Sequence, residues 1–171
     1  GGSGVARCGA GGGGAGCGGA RRRAAGPGKA GAAVVERAGR WDEEANLRWA
    51  EVLEQAGVDV IYGMVGVKTH AKVSLAVRSE GGRIIRYCHV STGNYNPSTA
   101  RVYTDFGFLT ADPVIGEDVN DFFNQLTGRS GPPAAAFQKL LFAPAGLLAE
   151  FIARIDPEAR PARDRARGRL R

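Results

Sequence analysis

Lys68, Thr69, His70, Ala71 and Lys72 set one histidine between two lysines, directly ahead of an apolar run. Val73, Leu75 and Val77 alternate with Ser74, Ala76 and Arg78, the period-two pattern of a half-buried strand. Residues two apart on a strand share a face, so His70 and Lys72 are expected to project together, away from the Val/Leu face. A neutral imidazole can attack an electrophilic phosphorus while neighbouring ammonium groups offset the charge on the phosphate oxygens. The same residues also fit a surface histidine at a strand edge, with lysines kept there for solubility. Three positions of an H-x-K pattern do not choose between the two.

Other segments carry polar groups of the same kind. In Thr92-Gly93-Asn94-Tyr95-Asn96, glycine lets backbone N–H groups approach an anion and the Asn94 amide can donate to phosphate oxygens. An ordinary hairpin-exit turn uses the same residue types. In Arg101-Val102-Tyr103-Thr104-Asp105, Arg101 could pair with a phosphate and Tyr103 could stack on a base. Asp105 could orient an imidazole or accept a proton. A mixed strand with one ion pair is the plainer account of that run. Arg40 stands just before a helix start, a natural anion position, or is a solvated arginine. His89 shares the strand phase of Ile85 and Tyr87 and is expected on the core side as a satisfied structural histidine.

The elements that must position these groups follow from the pattern. Residues 32–36 form a short apolar strand. Asp42-Glu43-Glu44 opens a helix with acids in its first turn, and Gly57 closes it. Residues 58–62 are the next strand, so a parallel βαβ unit is expected. Residues 71–78 and 83–90 make a hairpin around Gly81-Gly82. Residues 116–126 read as a helix with Val119, Phe122, Phe123 and Leu126 as its stripe. Residues 137–155 could carry another helix, interrupted at Pro144.

Composition bounds the rest. The chain has 171 residues, a net charge of +6 and 27 glycines concentrated at the start. The charge favours a polyanionic partner without choosing one. Residues 1–27 carry almost no large apolar side chains and read as disordered or outside the fold. Three cysteines, Cys8, Cys17 and Cys88, give no disulfide framework and no zinc-type pair, and Cys88 reads as a buried free thiol. No transmembrane run or signal peptide is evident, so a cytoplasmic setting is the default, with a peripheral position at the membrane compatible.

Taken in order, Arg40-Trp41-Asp42-Glu43-Glu44-Ala45-Asn46, Gly66 to Lys72, Ser91 to Asn96, Thr99 to Asp105, Leu109 to Asp112 and Lys139 to Pro144 resemble the long-form bacterial polyphosphate kinases. The match is to the first of that family's two C-terminal catalytic domains, and covers roughly Gly28 to Ile155. The resemblance implies an α/β fold, a mixed sheet flanked by helices and phospholipase D-like. It implies reversible transfer of the terminal phosphate of ATP to inorganic polyphosphate through a phosphohistidine, with Mg²⁺ accompanying the nucleotide. His70 matches the phosphorylated histidine, Asp105 a residue assisting it, and Tyr103 a position near the nucleotide. Lys72 joins them as a catalytic cation, and Lys68, Asn94 and Arg101 are assigned to phosphate or substrate. Arg40 matches an arginine associated with magnesium. A guanidinium offers no lone pair, so Arg40 is read as facing phosphates that carry the ion.

Homo-oligomeric assembly of a full-length parent is implied, and no nucleic-acid partner. The chain is therefore expected to be a fragment, weak or inactive alone: residues 1–27 outside the fold, 28–155 a partial domain, 156–171 a basic disordered tail. Two other readings stay open, a phospholipase D-like phosphodiesterase or nuclease and a non-catalytic polyanion-binding module. Against the first, Val77 stands five positions after Lys72, where that motif expects an acid.

Overall fold

A computed structural model describes residues 5–10, 30–35, 43–62, 69–95, 99–129, 137–144 and 146–165. In chain order these form β1 (Val5–Ala10), β2 (Ala30–Val35), α1 (Glu43–Gln55), β3 (Val58–Ile61), β4 (Val73–Glu80), β5 (Arg83–Ser91), β6 (Gly107–Thr110), α2 (Pro113–Leu126) and α3 (Leu147–Arg165). One open sheet runs β3-β2-β1-β4-β5-β6. The first three strands in chain order are mutually parallel, and β4, β5 and β6 join antiparallel. The expected α/β architecture, a mixed sheet flanked by helices, is what the chain adopts.

The βαβ unit forms where the pattern placed it. Gly57 ends α1 at φ +78°, and its N–H donates to the Glu54 carbonyl at 2.9 Å. α1 lays Ala50 and Leu53 inward, and Leu53 packs with Ala33, Val58 and Val60. The neighbouring residue Val34 belongs to the opposite face, with Val73, Leu75, Cys88 and the α2 stripe. The period-two alternation of β2 thus divides two cores between the two faces. The hairpin turns through Gly81 and Gly82, at φ +56° and +76°. Positive φ at both central residues is what a two-residue type I′ turn requires, and only glycine adopts it without strain.

α2 starts at Pro113 with Asp112 as N-cap, whose Oδ1 accepts from the N–H groups of Val114 and Ile115 at 2.9 and 3.0 Å. Its buried face is Val119, Phe122, Phe123 and Leu126. Full burial of one such side chain stabilises by about 1.5–3 kcal/mol, and Phe123, with no exposed surface, is the largest. Cys88 lies in the same cluster as a free thiol, and burial pushes its pKa up, keeping it protonated.

Several elements depart from the sequence reading. β1 pairs with both β2 and β4 inside the segment expected to lie outside the fold. Its six residues, Val5, Ala6, Arg7, Cys8, Gly9 and Ala10, lie in a glycine-rich stretch and show no run of large apolar side chains. β6 follows a short 3-10 turn, Thr99–Arg101, where a mixed strand was the plainer expectation for 101–105. Residues 137–142 are not helical. Instead, Phe137, Leu140 and Phe142 pack on the α2 core, with Phe142 edge-on to Phe122 at 5.6 Å. Helix α3 begins after Pro144 and runs to Arg165, ten residues beyond Ile155. Its Ala/Arg/Glu content is helix-forming, and Glu150 pairs with Arg154 one turn on at 3.7 Å. Leu148, Phe151, Ile152 and Ile155 lie exposed along α3, as do Phe106, Phe108 and Leu109 at the β6 edge. Among the described residues, no helix is long and apolar enough to cross a membrane.

Register brings six strand ends to one rim. Ala10 pairs with Val35, Val34 with Ile61, Gly9 with Val73, Val73 with Val90, and Ser91 with Gly107. The carboxyl ends of three parallel strands, the entry to β4, the exit of β5 and the entry to β6 therefore share one end of the sheet. Open α/β sheets place their ligands outside the carboxyl ends of the parallel strands.

Candidate active site

His70 and Lys72 occupy the extended approach to β4 at that rim. Lys72 is 5% exposed, and its Nζ lies 3.0 Å from His70 Nε2 and 3.2 Å from the His70 carbonyl oxygen. A charged ammonium can only donate, so Nε2 is the acceptor and the ring proton sits on Nδ1. His70 itself faces solvent. The result is an accessible imidazole with its lone-pair nitrogen backed by a buried cation.

The hairpin register then places the polar loop beside them. Ser91 N–H donates to the Lys72 carbonyl at 2.9 Å. One residue on, Thr92 exchanges hydrogen bonds with the strand entering β6: its N–H donates to the Phe106 carbonyl and its Oγ1 accepts from the Phe106 N–H, both at 3.0 Å. Thr92 Oγ1 also donates to Asp105 Oδ1 at 3.0 Å. Asp105 therefore lies at the same rim as His70 and Lys72, through a chain of contacts that starts at Lys72.

The glycine of this loop has a different use from the expected one. Gly93 N–H donates to Ser91 Oγ at 3.0 Å. Gly93 is buried, and a Cβ built on it would overlap the Asp105 carboxylate. The anion that Gly93 admits is thus the chain's own. Asn94 is exposed at the loop tip. Arg101 closes the 3-10 turn and is exposed, and Tyr103, 68% exposed, lies on the irregular segment between that turn and β6. Arg40 and Lys68 lie outside the described residues.

His89 is not on the side packed by α2. The inward phase of β5 belongs to Cys88, and His89 projects from the other face, where its Nδ1 lies 2.7 Å from the Tyr95 hydroxyl. Its Nε2 would lie 2.8 Å from a Cβ on Gly107, so that glycine makes room for the ring. His89 is satisfied, as expected, by a partner that anchors the far end of the loop.

Sequence reasoning gave no role to Asp118. It is 3% exposed, and its carboxylate accepts from the backbone N–H groups of Gln138, Lys139 and Leu140 at 3.0, 2.7 and 2.9 Å. Lys139 also donates to Asp112 at 2.7 Å, and that hydrogen bond, followed by the Ile115 N–H, holds the Asp112 carboxyl below the usual carboxylate range. An acid interrupting the apolar stripe of α2 was the available signal for Asp118.

Among the described residues, no group of three or more His, Cys, Asp or Glu side chains could hold a metal ion. Among the described residues, the rim brings together His70, Lys72 and Asp105. That set suits phosphate oxygens, including phosphates that carry their own cation, better than a dedicated metal cage.

Comparison with known proteins identifies the family. Residues 19–132 match the polyphosphate kinase C-terminal domain 1. A polyphosphate kinase of Mycolicibacterium gilvum is 54% identical over 148 residues, covering 86% of this chain and 20% of that protein. One of Mycobacterium ulcerans is 55% identical over 135 residues, covering 79% and 18% respectively. The crystal structure of polyphosphate kinase from Porphyromonas gingivalis superposes with a TM-score of 0.75 at 31% identity, over 94% of this chain and 27% of that one. The chain belongs to the polyphosphate kinase family. It spans about 20% of the length of the curated relatives it matches.

Proposed function

We propose that His70 is the phosphoryl acceptor and donor of an ATP:polyphosphate phosphotransferase. The observation that carries this reading is the exposed imidazole whose Nε2 lies 3.0 Å from the buried Lys72 ammonium. In the first half-reaction the Lys72 ammonium releases Nε2 to meet the phosphate oxygens, and the freed lone pair forms a bond to the γ-phosphorus of ATP. The bond from that phosphorus to the bridging oxygen breaks, and ADP leaves with the electron pair. In the second, a terminal oxygen of polyphosphate attacks the phosphorus, the P–N bond breaks and the imidazole is restored. Each step runs in reverse with ADP as acceptor.

Phosphoryl transfer is governed by position and charge more than by covalent assistance from the protein. Lys72 stabilises negative charge developing on the transferred oxygens and keeps the ring proton on Nδ1. Asp105 orients the imidazole from the same rim. Asn94 and Arg101 meet phosphate oxygens, and Tyr103 offers a ring to the base, with Lys68 and Arg40 adding cations. Magnesium bound to the nucleotide would neutralise phosphate oxygens and polarise phosphorus. Self-assembly of a full-length parent belongs to the same reading. The phosphodiesterase alternative loses its acid here, because Val77 packs against the core under α2.

The half-reaction is the step to test in this chain. Incubation with γ-labelled ATP is expected to give acid-labile protein label, chased by polyphosphate or ADP, and absent from His70→Ala. Label in His70→Ala at the level of the unaltered chain overturns the assignment.

A further inference from the structure

The geometry points to Thr92 as a positioning residue that, together with the missing side chain of Gly93, builds a fixed seat for the Asp105 carboxylate. This rests on the reading of His70 and Asp105 given above.

Asp105 lies on an irregular, solvent-exposed segment just before β6. A carboxylate there would ordinarily sample several rotamers and orient nothing. Thr92 removes that freedom through a proton arrangement with one solution. The Phe106 N–H can only donate, and it donates to Thr92 Oγ1 at 3.0 Å. The hydroxyl therefore accepts there, and its single proton goes to Asp105 Oδ1, also at 3.0 Å. The Thr92 backbone is itself held, its N–H donating to the Phe106 carbonyl at 3.0 Å. Ser91 ties the same strand, its Oγ donating to the Phe106 carbonyl at 3.1 Å.

Gly93 supplies the other wall. The Asp105 side chain sits where a Cβ of residue 93 would be, so any other residue there must displace the carboxylate or the loop. With Oδ1 engaged by Thr92, Oδ2 lies against the bare Cα of Gly93. The Thr92 hydroxyl and the bare Cα of the next residue thus fix the carboxylate from two sides. Held geometry of this kind is worth up to about a hundredfold in rate per ångström of misplacement.

The test uses the full 171-residue chain as Thr92→Val, which keeps shape and loses the hydroxyl, and Thr92→Ser, which keeps the hydroxyl. Three-bond couplings reporting the Asp105 χ1 angle are expected to show one rotamer in the unaltered chain and in Thr92→Ser, and averaging in Thr92→Val. The initial rate of His70 labelling is expected to fall about tenfold in Thr92→Val, with Thr92→Ser within about threefold. Thr92→Val should add little to Asp105→Asn in the double variant, because it acts through that carboxylate. A single Asp105 rotamer in Thr92→Val, or an unchanged labelling rate, overturns the positioning role and leaves the His70 assignment standing. Labelling of the unaltered chain tests the His70 reading separately, and the rotamer result decides by itself whether the seat exists.

Discussion

Asp118 and Asp105 are both fixed carboxylates, at opposite extremes of environment. Asp118 is 3% exposed on the flank of α2 and accepts three backbone N–H groups from residues 138–140. Asp105 stands in solvent at the rim and accepts one hydroxyl proton, from Thr92. The first has spent its acceptor capacity on the fold, pinning the chain that leads towards α3. The second is oriented by one hydrogen bond and by the space left at Gly93. The difference separates a carboxylate that holds the structure from one that the structure holds.

The largest expected effect breaks the buried side. Asp118→Ala leaves three part-buried N–H groups without their acceptor, at up to about 1–3 kcal/mol for each group left unsatisfied. Partial relaxation should keep the total near 4 kcal/mol, lowering the thermal midpoint by roughly 10 °C in a chain of this size. Denaturant and thermal unfolding check it, and a loss below about 1 kcal/mol would mean that water replaces the carboxylate. Asp105→Asn should do the reverse. Its labelling of His70 is expected to fall about 10–100-fold, with unfolding within about 0.5 kcal/mol of the unaltered chain.

A smaller effect calibrates the hairpin that joins the two halves of the site. Gly82→Ala places a Cβ at φ +76° with nothing within 4 Å to collide with, so the cost is backbone strain alone. About 1 kcal/mol is expected from unfolding curves.

The smallest effect is a pH slope. Asp112 has a folded-state pKa below its unfolded value, chiefly through the Lys139 hydrogen bond. Its contribution is therefore present above the unfolded value and is lost as pH falls through the folded one. Lys139→Met should flatten the decline of the thermal midpoint on acidification, modestly, since both side chains are partly in solvent.

What the sequence discloses divides along the same lines of locality. The β4–β5 hairpin, the α1 unit and the stripe of α2 are written in short periods and turn residues. His70 and Lys72 are legible together because strand periodicity acts over two positions. The Thr92–Asp105 bond spans thirteen positions and exists only because β5 and β6 pair in one register. Asp118 joins residues some twenty positions apart and carries no periodic mark. β1 was illegible because Val5–Ala10 sits in a glycine-rich stretch without a run of large apolar residues, and β6 because Gly107, Phe108 and Leu109 are all exposed.

The two-glycine turn also governs when the site assembles. Hairpins closed by tight turns form in roughly 1–10 μs. Pairing of strands far apart in sequence, such as Val5 with Val77, must first close a long loop. The contact that sets Ser91 against Lys72 belongs to the β4–β5 ladder. The histidine approach and the loop that seats Asp105 are thus expected to meet early in folding, before the sheet is complete. A chain stalled on the way to the native state would then already hold that part of the rim in register.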